Sequence, residues 1–171
     1  MLRGQNLFQF SGLLVSLLIA VVAVIQPAIA ADPHALYEKR CAHCHASHGG
    51  SFVRQSLIKK DGNLIGIETQ TEIGGLLRHG HGHLKSSEDI ETMVRHLTAI
   101  FDGGAIFQTK CLICHERAVT LARNRLIDTL GGLKGRYTGR DMEFFLNNHG
   151  RLEDDEADTV LEMLARQVGE K

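Results

Sequence analysis

Laid against itself at an offset of 70 residues, the chain repeats. Ala35-Leu36-Tyr37-Glu38-Lys39-Arg40-Cys41-Ala42-His43-Cys44-His45 falls on Ala105-Ile106-Phe107-Gln108-Thr109-Lys110-Cys111-Leu112-Ile113-Cys114-His115. Small, aliphatic and aromatic positions coincide, and so do both cysteines and the closing histidine. With no gap inserted, His79-Gly80 lands on His149-Gly150, and Ile90, Met93 and Val94 land on Val160, Met163 and Leu164. One unit has been used twice, in residues 31–101 and 102–171. A unit of roughly 70 residues is too small to build a large core unaided, so something must supplement each copy.

The coarse pattern of a unit is helical. Asp32 can cap a first helix with Pro33 in its first turn, and Asp102 occupies the equivalent position in the second copy. Ser47–Asn63, and less clearly Arg123–Gly135, are rich in Gly and polar residues and read as loop. Thr71–Arg78 and Thr138–Asn148 read as short helices, each running up to a His-Gly pair. Ser86 with Asp89 three residues on resembles a capping box, and Ile90, Met93, Val94, Leu97 and Ile100 then mark one face of a last helix. No stretch alternates convincingly as a strand, so the expectation is an all-α chain of two tandem small helical units.

Cys-x-x-Cys-His is the attachment signal for c-type haem. Two cysteines three apart on a helical turn can reach both vinyl groups of one haem, and the adjacent histidine then lies beneath the ring to ligate iron. The porphyrin is also a large apolar body around which a small unit can fold. A single such motif is equally compatible with a redox dithiol or part of a zinc site. Two copies in register within an internal repeat, behind an export signal, point to haem. Cys41, Cys44 and His45 would hold one haem c, and Cys111, Cys114 and His115 a second.

With these motifs the chain resembles dihaem c-type cytochromes built of two tandem units similar to class I cytochrome c. The resemblance rests on Gly103-xxx-Phe107-xxx-Cys111-xx-Cys114-His115, on Tyr37 four residues before Cys41, and on the segment that precedes each last helix. It implies that the first and last helices of each unit cross near the haem edge. Two departures stand out: no proline follows either motif, and the last helices lack the family's usual aromatic pair.

The segment before the last helix normally carries a methionine ligand in that family, and here it carries histidine. After His115 the second copy contains only His149, 34 residues on; the histidine 34 residues after His45 is His79. The reading is bis-histidine ligation, His45 with His79 and His115 with His149. His81 and His83 remain alternatives to His79, and His34 is a candidate for a ligand crossing between units. Met93 and Met163 repeat but fall on the apolar stripe of the last helix, as core residues.

Residues 1–30 read as a secretory signal. Arg3 is the only charge before Asp32, Leu13–Ile25 is unbroken apolar or small, and Pro27-Ala28-Ile29-Ala30 supplies the small residues of a cleavage site. The alternative is an uncleaved membrane tether. Without this segment, 18 basic residues stand against 20 acidic ones, which gives no reason to expect nucleic acid or an anionic membrane as partner. With both axial positions filled by protein, no iron is open to substrate. The leading expectation is therefore a periplasmic electron carrier, or the electron-transfer subunit of an oxidoreductase complex, working between protein redox partners and not itself an enzyme. The alternatives are a haem enzyme of peroxidase or sulfur-compound dehydrogenase type, and a gas-binding sensor with one labile ligand. Glu153–Asp158 is an acidic block that either complements the last helix dipole or docks a basic partner.

Overall fold

Asp32 starts the first helix as its composition suggests: its carboxylate accepts the His34 N–H at 3.0 Å, with Pro33 in the first turn. A computed structural model describes residues 32–169, and the signal assigned to residues 1–30 lies outside them. The elements run α1 (Pro33–Arg40), α2 (Gly49–Ser56), β1 (Leu57–Lys60), β2 (Asn63–Gly66), α3 (Ile73–Arg78) and α4 (Ser87–Ile106). The second copy continues with α5 (Ala118–Arg125), β3 (Leu126–Thr129), β4 (Gly132–Gly135), α6 (Met142–Leu146) and α7 (Asp154–Gly169). No helix among the described residues is long and apolar enough to cross a membrane.

The all-α expectation is corrected by two antiparallel hairpins. Leu57–Lys60 pairs with Asn63–Gly66, and Leu126–Thr129 pairs with Gly132–Gly135, in the same register within each copy. The second falls wholly, and the first as far as Asn63, in segments read from the sequence as loop. In the first, Asp61 (φ 50°) and Gly62 (φ 82°) both take the left-handed region. That is the geometry of a type I′ turn, which matches the twist of the strands it joins and favours Asp-Gly. Each hairpin buries one leucine of each strand, Leu57 and Leu64 or Leu126 and Leu133, against its own copy's helices. Single bridges from Ile65 to Glu72 and from Lys134 to Asp141 then fix where α3 and α6 begin. Glu72 caps α3 by accepting the Gly74 and Gly75 N–H groups, and Asp141 caps α6 through Phe144.

A second correction concerns Asp102. It starts no helix, because α4 runs without a break from its Ser86 cap to Ile106 and continues into a π turn at Phe107–Cys111. Pro33 of the first copy sits in the first turn of its helix, where its missing N–H costs nothing, whereas the matching residue here is Gly103, which a helix interior tolerates. The Asp102 carboxylate instead takes a hydrogen bond from Lys59 Nζ at 2.7 Å, tying β1 to α4.

Each copy has its own apolar core. Leu36, Tyr37, Val53, Leu77, Met93 and Leu97 belong to the first; Phe107, Ala122, Leu146, Val160, Met163 and Leu164 belong to the second. Met93 and Met163 are thus core residues, as their helical spacing suggests. Within the second copy, the C-terminal end of α4 crosses α7. A Cβ on Gly103 would lie 2.9 Å from Met163 Cβ and 3.0 Å from its Cγ, closer than atoms pack. Gly103→Ala is therefore expected to destabilise the protein by about 1–3 kcal/mol through overpacking. At the next residue, Gly104, no atom lies within 4 Å of the added carbon. Gly104→Ala should stabilise by up to about 1 kcal/mol through helix propensity. Opposite shifts of the urea midpoint in these two adjacent variants check the close crossing.

Candidate functional site

In the second copy the π turn ends at Cys111, and the backbone then folds back on itself. The N–H groups of Cys114 and His115 both donate to the Cys111 carbonyl, at 3.1 and 2.9 Å. The first copy repeats the turn: Cys44 and His45 donate to the Cys41 carbonyl at 3.1 and 3.0 Å. Cys41 and Cys111 are half-buried, Cys44 and Cys114 are exposed, and none is joined to another in a disulfide. Burial pushes the Cys41 thiol up; it pushes Cys111 up too, against the opposing pull of Lys110. A redox dithiol needs the reverse, a thiol pKa lowered by its surroundings. Nor do these residues resemble a zinc site. Among the described residues, the one group of three potential ligand atoms within 4.8 Å of each other includes no cysteine.

Across from His115 stands His149, just beyond the end of α6. The two imidazole centroids are 5.8 Å apart with an interplanar angle of 63°. Phe145, one helical turn earlier, stacks on His149 at 4.4 Å, and the Arg140 guanidinium lies 5.1 Å over the Phe145 ring. A cavity of about 1180 Å³ opens between these groups, bounded by Phe107, Leu121, Leu126, Met142, Leu146 and Leu164. Drug-sized and cofactor sites typically enclose about 300–1,000 Å³ with mostly apolar walls. Arg125 and Arg140 also reach it, so a flat apolar molecule bearing carboxylates fits its chemistry.

The first copy brings His45 together with His81. Their Nε2 atoms are 3.4 Å apart and their ring centroids 5.7 Å, while Phe52 packs on His45 at 4.6 Å. Burial, and then the neighbouring His81, hold the His45 imidazole below its ordinary pKa. Two nitrogens bonded to one metal at about 2 Å each lie about 3–4 Å apart, depending on the angle between the bonds, and this pair already stands in that range.

His79, the residue singled out by the constant 34-residue spacing, does not take this place. It closes α3, and its Nδ1–H donates to the Gly75 carbonyl at 2.7 Å. The reason lies in the link to the last helix. α7 starts five residues after His149, whereas α4 starts eight after His79. The longer link winds into a short 3₁₀ turn at His81–His83, with Gly80, Gly82 and His83 all at positive φ. That turn presents His81 to His45 and leaves His83 exposed.

Phe145 was findable in advance, since it stands four residues before His149 in a segment that reads as a helix running up to that histidine. Phe52 was not, because it comes from a segment read as loop. No family model, no curated protein and no solved structure matches this chain.

Proposed function

We propose that this chain is an exported dihaem c-type electron carrier, or the electron-transfer subunit of a larger oxidoreductase. The observation that carries the reading is made twice: the histidine after each cysteine pair faces a second histidine. In the second copy they do so across an apolar cavity large enough for a porphyrin. Cys41 and Cys44, and Cys111 and Cys114, would each hold a haem through two thioethers. His45 and His81 would supply the axial imidazoles of the first, and His115 and His149 those of the second. A haem iron held this way supplies a one-electron couple, at lower potential than with one histidine and one methionine.

What the protein contributes follows from its own residues. Paired imidazoles leave no coordination position for a substrate, which argues for electron transfer over catalysis at iron. Phe52 and Phe145 brace one imidazole of each pair and limit its rotation. Cys44 and Cys114 are exposed, so each attachment edge reaches the surface where a protein redox partner can approach. Periplasmic location follows from the reading of residues 1–30, which also leaves a membrane tether open.

Electron paramagnetic resonance with optical spectra on the oxidised protein tests the proposal. Two low-spin bis-histidine signals are expected. One should be lost in His81→Met and the other in His149→Met, with neither lost in His79→Met. A signal lost in His79→Met would return the sixth ligand to the residue given by spacing. A high-spin haem in the unmutated protein would mean an open iron, and the enzyme and gas-sensor readings would displace the carrier.

A further inference from the structure

We infer that the first copy carries a separate binding site for a divalent transition-metal cation, formed by His34, Glu38 and His48. One imidazole nitrogen from each histidine and one carboxylate oxygen of Glu38 all lie within 4.8 Å of one another. His34 Nε2 and Glu38 Oε1 are already 3.3 Å apart. In a tetrahedral site with bonds of about 2.0–2.1 Å, neighbouring ligand atoms lie about 3.4 Å apart. Two of the three ligands therefore stand at metal-binding separation, and the third needs a small rotation of an exposed side chain. Two histidines and a glutamate form a donor set that suits Zn²⁺ and its neighbours, with a fourth position left for water.

The surrounding structure holds this arrangement in place. His34 and Glu38 are one turn apart on α1, so their side chains share a face. Tyr37, between them in sequence and fully buried, donates its hydroxyl to the Ala46 carbonyl at 2.6 Å. That bond fastens the segment leading to His48 against α1. The backbone of His48 is fixed in turn, because its carbonyl accepts from Ser51 and Phe52 at the start of α2. Its side chain plays no part in capping that helix. Instead its ring lies nearly parallel to that of His34, 9° between planes at 6.3 Å.

The repeat supplies an internal comparison. At the matching positions of the first helical segment the second copy has Gly104 for His34 and Gln108 for Glu38, Phe107 replaces the tyrosine, and the residue that precedes α5, as His48 precedes α2, is Arg117. All three ligands and the clamp are missing together, although the paired histidines are present in both copies. The cluster is thus not a by-product of building the unit. It is a feature added to one copy, and the inference stands whether or not the chain binds haem.

Isothermal titration of Zn²⁺ into the full chain, purified as expressed and stripped of loose metal by chelation, tests it. One Zn²⁺ per chain should bind and raise the thermal unfolding midpoint, because the ion ties α1 to the start of α2. Glu38→Gln, the residue the second copy carries there, and His48→Ala should each weaken binding by about tenfold or more. Both should also abolish the thermal shift, and His83→Ala should change neither. The inference is overturned if Zn²⁺ does not bind below about millimolar concentration, where exposed histidines bind adventitiously. It is equally overturned if binding survives Glu38→Gln and His48→Ala together, or is lost in His83→Ala.

Discussion

Replacing Cys111 and Cys114 together by alanine is expected to halve the covalent haem per chain and to unfold most of the second copy. The first effect is stoichiometric. Two attachment motifs become one, and the alkaline pyridine spectrum of the denatured protein should fall from two haems per chain to one. The second effect comes from packing. Phe107, Leu121, Leu126, Met142, Leu146 and Leu164 line a space of about 1180 Å³. A ring seated there would cover these side chains, and without it their apolar surface stands against water at about 25 cal/mol per Å². A second copy unable to retain its ring must therefore collapse or flood. Amide hydrogen exchange should show protection lost from α5, β3, β4 and α6. Protection should persist in α1, α2, β1 and β2, whose core is separate. Unchanged haem content in the double variant would refute the attachment. Halved haem with undiminished protection throughout would show that the ring is no part of the second core.

The parts of this molecule legible in its sequence are those written in short, fixed spacings. Cys-x-x-Cys-His states the geometry of a single turn, and the turn forms twice with the same two hydrogen bonds. His149 is read by elimination, as the lone histidine left in its copy. The Ser86 cap and the Met93 and Met163 core positions follow from helical periodicity. The hairpins were hidden because their strands are four residues long and one of them ends in Lys59-Lys60, so alternation has no room to show. Asp61-Gly62 was the available signal, and its turn chemistry was read as loop composition instead. The second hairpin turns at Leu130-Gly131 and lacks even that cue. His81 was an alternative to His79, and spacing alone could not choose between them. An offset of 70 aligns residues, but which histidine faces His45 depends on how the chain between them is wound. Left-handed backbone at Gly80, Gly82 and His83 brings round the histidine two residues further on.

Acid should weaken the protein through His96, a residue the motifs ignore. His96 is 6% exposed on α4, and its Nε2 is buried without a hydrogen-bond partner. Burial, then Arg166 on α7 and His34 on α1, push its pKa down to about 4, with Asp32 pulling weakly the other way. The unfolded chain titrates this group near 6.5, so between roughly pH 6.5 and 4 the unfolded state binds a proton that the folded state refuses. The stabilising difference is fully present above 6.5 and is lost as the pH falls through that window. Linkage gives about 2 kcal/mol lost between pH 7.5 and 5, and about 3 kcal/mol over the whole range. In His96→Leu that part of the slope disappears. The variant also removes an unpaired buried nitrogen, whose desolvation costs about 1–3 kcal/mol. It should accordingly be no less stable than the parent at pH 7.5 and clearly more stable at pH 5. The measurement is a pair of guanidinium unfolding curves at those two pH values for each protein, compared by difference so that carboxylates and the facing histidines cancel. If parent and variant lose the same stability on acidification, His96 is already protonated in the fold and donates to the Asp32 carboxylate.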